Sequence, residues 1–167
     1  MPNPDSTAHH APHPAQLADE FIEQHRKMLL ECLDGLSETE AKMHLVSSKT
    51  TLLGLVKHVT FVERVWFGEA VTGASRADLG IVQTPDQSFD LAAQDTIESI
   101  QRAYRDAISL SRTARAELAD DALLPGNRRG PLPLAWVQLH VLRELAQHCG
   151  HADILREQIL QRRQQKA

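Results

Sequence analysis

Near its C-terminal end the chain carries Glu144, His148 and His151, three residue types that can hold a divalent ion or move a proton. On a helix, residues four apart lie about 40° apart around the axis and roughly 6 Å apart along it, so Glu144 and His148 project side by side from consecutive turns. A carboxylate and an imidazole so placed can grip one divalent ion, but two ligands are too few for a tight site. His58, in the apolar segment 52–67, is the natural third donor from a second helix. A His2Glu set with an open position is a catalytic zinc arrangement. Alternatives stay open on residue types alone. His140 sits one turn before Glu144 and can pair with it instead. His151 can pair with His148, leaving Glu144 to orient a ligand. His140 and His148, eight residues and about 12 Å apart, are too distant to share an ion. Glu144 with His148 is preferred. His58, Glu144 and His148 could also form a buried polar network without metal.

Four helices must position these residues. Residues 15–34 repeat Leu17, Phe21, Ile22, Met28, Leu29, Cys32 and Leu33 at helical spacing, with Gly35 where a C-cap falls. Ser37 and Glu40 make a capping box for a short turn. Ser48, Thr50 or Thr51 caps a second helix reaching about Val71, with Gly73 beyond it. The break at residues 73–88 is long enough for a lid or crossover, and Arg76 and Asp78 could reach a substrate from it. Asp90 is the expected cap of a third helix over residues 91–118, with Ala93, Ile97, Ile100, Tyr104, Ala107, Ile108 and Ser111 facing inward. Residues 120–131 read as a polar break, where Arg128 and Arg129 either meet an anionic substrate group or sit in a solvated turn. The fourth helix starts at Pro133 and runs to about Arg162, its inward face being Leu134, Val137, Val141, Leu145, His148, Ala152, Leu155 and Ile159. The tail from Gln161 is expected to fray. Four helices without strand-like alternation predict an all-α fold, a four-helix bundle with a long connection between helices 2 and 3.

The totals narrow the partners. A chain of 167 residues suits one domain, here residues 15–163 after an N-terminal tail of residues 1–14 expected to be flexible. His9, His10 and His13 of that tail can bind metal adventitiously. A formal charge of -4 and pI near 6.1 leave no electrostatic footprint for nucleic acid or an anionic membrane. Without a basic n-region, an apolar h-region or an apolar run long enough to span a bilayer, the chain is expected to be cytoplasmic. Its two cysteines, Cys32 and Cys149, read as reduced, buried thiols.

The residues 53–58 (Leu-Gly-Leu-Val-Lys-His) and 62–67 (Val-Glu-Arg-Val-Trp-Phe), together with Trp136, Leu139-His140, Glu144, Ala146, His148, 150–153 (Gly-His-Ala-Asp) and 155–157 (Leu-Arg-Glu), resemble the actinobacterial, mycothiol-dependent branch of the DinB-like metalloproteins. That superfamily includes mycothiol and bacillithiol S-transferases and mycothiol-dependent maleylpyruvate isomerase. The resemblance spans residues 16–160. It implies a four-helix bundle in which one helix-2 histidine and an HxxxH-type pair of helix 4 hold zinc or nickel. His58 and His148 match two of those positions. The third falls on Glu144, as in the His-Glu-His site of the isomerase. His151 stands where many members carry Gln, which makes it a pocket residue. His140 is structural by the same comparison.

The activity implied is a metal-dependent S-transferase joining mycothiol or a similar low-molecular-weight thiol to an electrophile in detoxification, with His151 or Glu63 assisting proton transfer. Isomerase and sulfoxide-synthase activities are not expected, because those relatives use additional domains. A homodimer is the expected assembly. The alternative from another class is a non-catalytic metal-binding or small-ligand-binding stress protein with the same bundle.

Overall fold

The computed structural model describes residues 14–165; the histidines of the N-terminal tail lie outside the described residues. The chain is mostly helical, with one small two-stranded antiparallel sheet. Helix α1 spans Pro14–Glu31, and the chain turns beyond it at Gly35, whose φ of +71° suits a residue without Cβ. A short α2, Glu38–Ala41, follows the expected capping box of Ser37 and Glu40.

Helix α3, Leu52–Glu63, begins at Thr51, whose hydroxyl accepts from the Gly54 amide. Ten of its twelve residues are buried, which makes it the innermost helix. It continues through a π-helical segment, Arg64–Glu69, into α4, Ala70–Thr72, ending at Gly73 with φ +71°. The π turn was not anticipated in the sequence. It buries Val65, Trp66 and Phe67 in succession.

Residues 73–96 connect α4 to α5 and hold one short 3-10 turn, Gln87–Phe89. Helix α5 spans Ile97–Ala116 and starts later than the sequence suggested. Its cap is Thr96, boxed with Ser99, whereas Asp90 accepts from Lys49 at 2.8 Å and Ala93 is exposed. Ile100, Tyr104, Ala107, Ile108 and Ser111 do face inward.

The stretch expected as a polar break is a hairpin of β1, Leu123–Asn127, and β2, Gly130–Pro133. Gly126 (φ +78°) could not be replaced, since a Cβ there would lie 1.7 Å from the Gly130 carbonyl oxygen. Helix α6, Leu134–Gln164, begins where β2 ends, and the Leu134 amide bonds back to Ala122 across the hairpin. It does not fray at Gln161: Arg163 holds the last turns to Glu40 and the Gly35 carbonyl.

Helix α1 packs on α6, and α3 packs on α5 and α6. The eight residues assigned to the inward face of α6 are all buried, its Leu, Val and Ile side chains each contributing about 1.5–3 kcal/mol by leaving water. On α1 the buried stripe is Ala15, Ala18, Ile22, Arg26 and Leu29, while Leu17, Phe21 and Met28 point to solvent. No helix is long and apolar enough to cross a membrane among the described residues.

Candidate metal centre

His58 lies in the second turn of α3, and Glu144 and His148 lie on consecutive turns of α6. The packing of α3 on α6 brings the three together: each offers one ligand atom, and these atoms all lie within 4.8 Å of one another. Of the pairings that residue types left open, this set is the one that converges among the described residues. The rings of His58 and His148 meet edge to face with centroids 4.7 Å apart.

His58 is held from three sides. Ser88 has one hydroxyl proton and donates it to the Pro85 carbonyl at 2.5 Å, so its oxygen accepts from His58 Nδ1 at 2.7 Å. That bond fixes the Nδ1–H tautomer and leaves Nε2 as the lone-pair nitrogen. Phe89 stacks on the ring at 4.1 Å and 11°. Both residues belong to the 3-10 turn, which reaches α3 because residue 54 is glycine: a Cβ there would sit 2.9 Å from the Phe89 carbonyl oxygen. Burial, then the neighbouring His148, pushes the His58 pKa down to about 3. Burial also lowers that of His148, against the opposing pull of Glu144. Both imidazoles are therefore neutral at pH 7, the form that ligates.

The trio is short of partners. His148 Nδ1 is buried and has no hydrogen-bond partner among the described residues. The partly exposed carboxylate of Glu144 accepts one long bond from Arg143 Nη2 at 3.4 Å and lies 3.6 Å from His140 Nε2 and 3.8 Å from His148 Nε2. Buried polar groups are normally satisfied, so the unpartnered His148 nitrogen, beside a carboxylate with one long bond, fits a bound cation. Two neutral imidazoles and a carboxylate suit zinc, nickel or a similar ion.

His140 stays outside the trio. It stacks on Trp136 (5.0 Å, 8°), packs against Trp66 at 4.1 Å and meets Arg143 through Nδ1 at 2.8 Å, forming an aromatic wall beside Glu144. Burial lowers its pKa, and the charges of Arg143 and Arg129 add to that. A cavity of about 160 Å3 lined by His58 and Glu144 opens between Trp66 and His140 of this wall, Phe61 and the residues Arg76, Arg128 and Arg129. Asp78 is not part of it; it bonds Ser75.

The two residues expected to assist proton transfer are placed differently. His151 is exposed, its ring centroid 5.6 Å from that of His148, and it lines a separate cavity of about 350 Å3 with Val46 and Ile154. Glu63 is not brought to the trio. It is fully buried, and both its oxygens accept from Arg26, at 2.8 and 2.6 Å. Five residues beyond His58, it is turned about 140° around α3. The sequence reading passed over Ser88 and Phe89. Their one visible signal was an isolated aromatic in a polar connection, which periodicity arguments discard.

The mycothiol-S-transferase (MST) family model matches residues 17–161, from the first turn of α1 to the last turns of α6. Comparison with curated individual proteins found no match. On that match, which covers most of the described structure, the chain belongs to the mycothiol-S-transferase family.

Proposed function

We propose that this chain is a divalent-metal-dependent S-transferase that conjugates mycothiol, or a closely similar thiol, to small electrophiles in detoxification. The observation that carries the reading is the convergence of His58, Glu144 and His148, with unmet bonding capacity, in a member of a thiol-transferase family. A cation held there, zinc in the first instance and nickel as the alternative, would stabilise a thiolate near neutral pH.

The chain's own residues supply the rest. Ser88 presents His58 in one tautomer, Phe89 covers its ring, and Trp66 and His140 wall the cavity beside Glu144. The exposed His151 takes the thiol proton and passes it to solvent. The sulfur electron pair forms the new C–S bond, and the leaving group departs with its bonding pair. Glu63 has no part in proton transfer in this reading; with Arg26 it stabilises the core. A cytoplasmic setting suits the activity, and pairing of two copies through Leu17, Phe21 and Met28 would cover the outward apolar residues of α1.

The test uses untagged full-length protein in which His9, His10 and His13 are replaced by Asn. Metal content is measured by plasma mass spectrometry beside His58→Ala, Glu144→Ala and His148→Ala, and thiol consumption is followed with a generic electrophile. About one ion per chain, lost in all three variants together with thiol consumption, is the expected result. Metal binding without thiol consumption would leave a non-catalytic metal-binding protein. No metal after reconstitution would remove the proposed chemistry.

A further inference from the structure

Helix α6 carries a histidine one turn before Glu144 as well as one turn after it, and the two lie beside different oxygens of its carboxylate. His148 Nε2 is 3.8 Å from Oε2. His140 Nε2 is 3.6 Å from Oε1, and Arg143 Nη2 donates to that same oxygen at 3.4 Å. The groups outside the trio therefore gather on Oε1, and Oε2 is the oxygen on the side of the second ligand histidine.

What His140 offers to Oε1 is set by Arg143. A guanidinium has donors only, so its Nη2, 2.8 Å from His140 Nδ1, makes Nδ1 the acceptor. An imidazole that accepts at Nδ1 is neutral and carries its proton on Nε2, the nitrogen beside Glu144. The ring is fixed in that position. It stacks on Trp136 at 5.0 Å and 8°, packs against Trp66 at 4.1 Å and leaves only 9 % of its side chain exposed. At 3.6 Å the pair is in contact without a hydrogen bond, and a movement of about half an ångström by the carboxylate closes one. Glu144 has the freedom to make it, since it is partly exposed and its one bond is long.

Resting on the metal site proposed above, we infer that His140 is a positioning residue for the metal centre: its Nε2–H holds Oε1 of Glu144, so that the carboxylate binds the cation through Oε2 alone. His140 would then do for Glu144 what Ser88 does for His58, orienting a ligand by bonding the atom that does not ligate. Binding through one oxygen instead of two also keeps a coordination position open for the thiol of the proposed reaction.

The experiment uses the full-length protein with His9, His10 and His13 replaced by Asn. Zinc affinity is measured by chelator competition in the wild type, in His140→Phe, which keeps a ring on Trp136 but has no donor, and in His140→Gln, whose amide nitrogen can still donate to Oε1. His140→Phe is expected to bind zinc about 10- to 100-fold more weakly, and His140→Gln to recover most of that loss. The infrared difference between zinc-bound and zinc-free protein reads the binding mode, which a packing role would not move. Glu144→Ala identifies the bands. The two carboxylate stretches should be widely separated in the wild type, as for binding by one oxygen, and closer together in His140→Phe.

Zinc affinity unchanged in His140→Phe, equal losses in the Phe and Gln variants, or a narrow separation in the wild type would overturn the inference. Should His140→Phe not fold, the wild-type infrared spectrum and His140→Gln still decide. Nitrogen NMR of the zinc-free wild type separates the two ways of failing. A proton on His140 Nε2 whose resonance shifts in Glu144→Gln supports the pair even where no zinc binds, in which case the metal reading alone fails; a proton on Nδ1 overturns the pair.

Discussion

Ser88→Ala tests how the connection between α4 and α5 acts on the metal centre. The hydroxyl donates to Pro85 and accepts from His58 Nδ1, so its removal takes the side-chain acceptor from a buried N–H and leaves it only the Pro85 backbone. That costs about 1–3 kcal/mol of stability in the metal-free protein. It also frees the other imidazole tautomer, with the proton on Nε2, which must be displaced before that nitrogen can ligate. Removing a group that orients a ligand histidine typically weakens metal binding by about 10- to 100-fold, which corresponds to about 1.4–2.7 kcal/mol. Zinc affinity is measured by competition with a chromophoric chelator, and stability by urea denaturation of the metal-free proteins. The decisive control is a double-mutant cycle: in a His58→Ala background, Ser88→Ala should change affinity no further. If Ser88→Ala loses stability but binds zinc as tightly as the wild type, Ser88 only packs and the tautomer argument is wrong.

Further outcomes follow from other parts of the fold. Gly54→Ala places a Cβ 2.9 Å from the Phe89 oxygen and should lower stability by about 1–3 kcal/mol, despite the better helix propensity of Ala, and weaken zinc binding; a more stable variant would refute the close approach. Arg26→Met leaves Glu63 buried and unpaired, at a cost of about 3–5 kcal/mol in urea denaturation, and Arg26→Met/Glu63→Leu should recover most of it. Arg163 first, and then the amide and hydroxyl of Ser37, hold the Glu40 pKa at about 2, against 4.5 for a free glutamate. This depressed carboxylate contributes stability above pH 4.5 and loses it as pH falls towards 2. The thermal-melt difference between wild type and Arg163→Ala should therefore narrow between pH 6 and pH 3; a constant difference would assign the effect to packing instead.

The helical pattern and the Glu144–His148 pair of the candidate trio were legible in the sequence because each is a statement about spacing within one helix. The inward face of α6 follows from a 3.6-residue period, and Glu144 with His148 from a four-residue step. Their meeting with His58 is not a periodic property, and neither spacing nor composition could choose between Glu144–His148 and the rival pairs. What escaped lies where local signals are weak or misleading. Asp90 looks like a cap, but a stronger box at Thr96 and Ser99 competes, and Lys49 and Lys57 draw the intervening chain against α3 through Asp90 and Asp95. The hairpin at residues 123–133 hides because Pro125, Gly126 and Gly130 read as breakers, although here they make the bulge and the turn. The π segment leaves no mark because Val65, Trp66 and Phe67 continue the apolar run of the helix before them, and six residues are too few to show a change of period.

Helix α3 carries two buried polar residues, and the contrast between them is what separates a structural pair from a binding site. Glu63 is satisfied by the chain itself: both oxygens are met by one planar guanidinium at 2.8 and 2.6 Å, and Phe67 covers the other face of that group at 5.6 Å. Nothing further can be added without breaking what is there. On the opposite face, His58 is held by one nitrogen only, His148 has a buried nitrogen with no partner among the described residues, and the partly exposed Glu144 has one long bond, from Arg143 at 3.4 Å. In a core packed as tightly as this one, with Leu53, Val56 and Leu145 fully buried nearby in sequence, such unmet capacity is costly. It is retained where a ligand completes it. The same helix thus spends one charged residue on stability and leaves one imidazole ready to coordinate, and only the second arrangement gains from a cation.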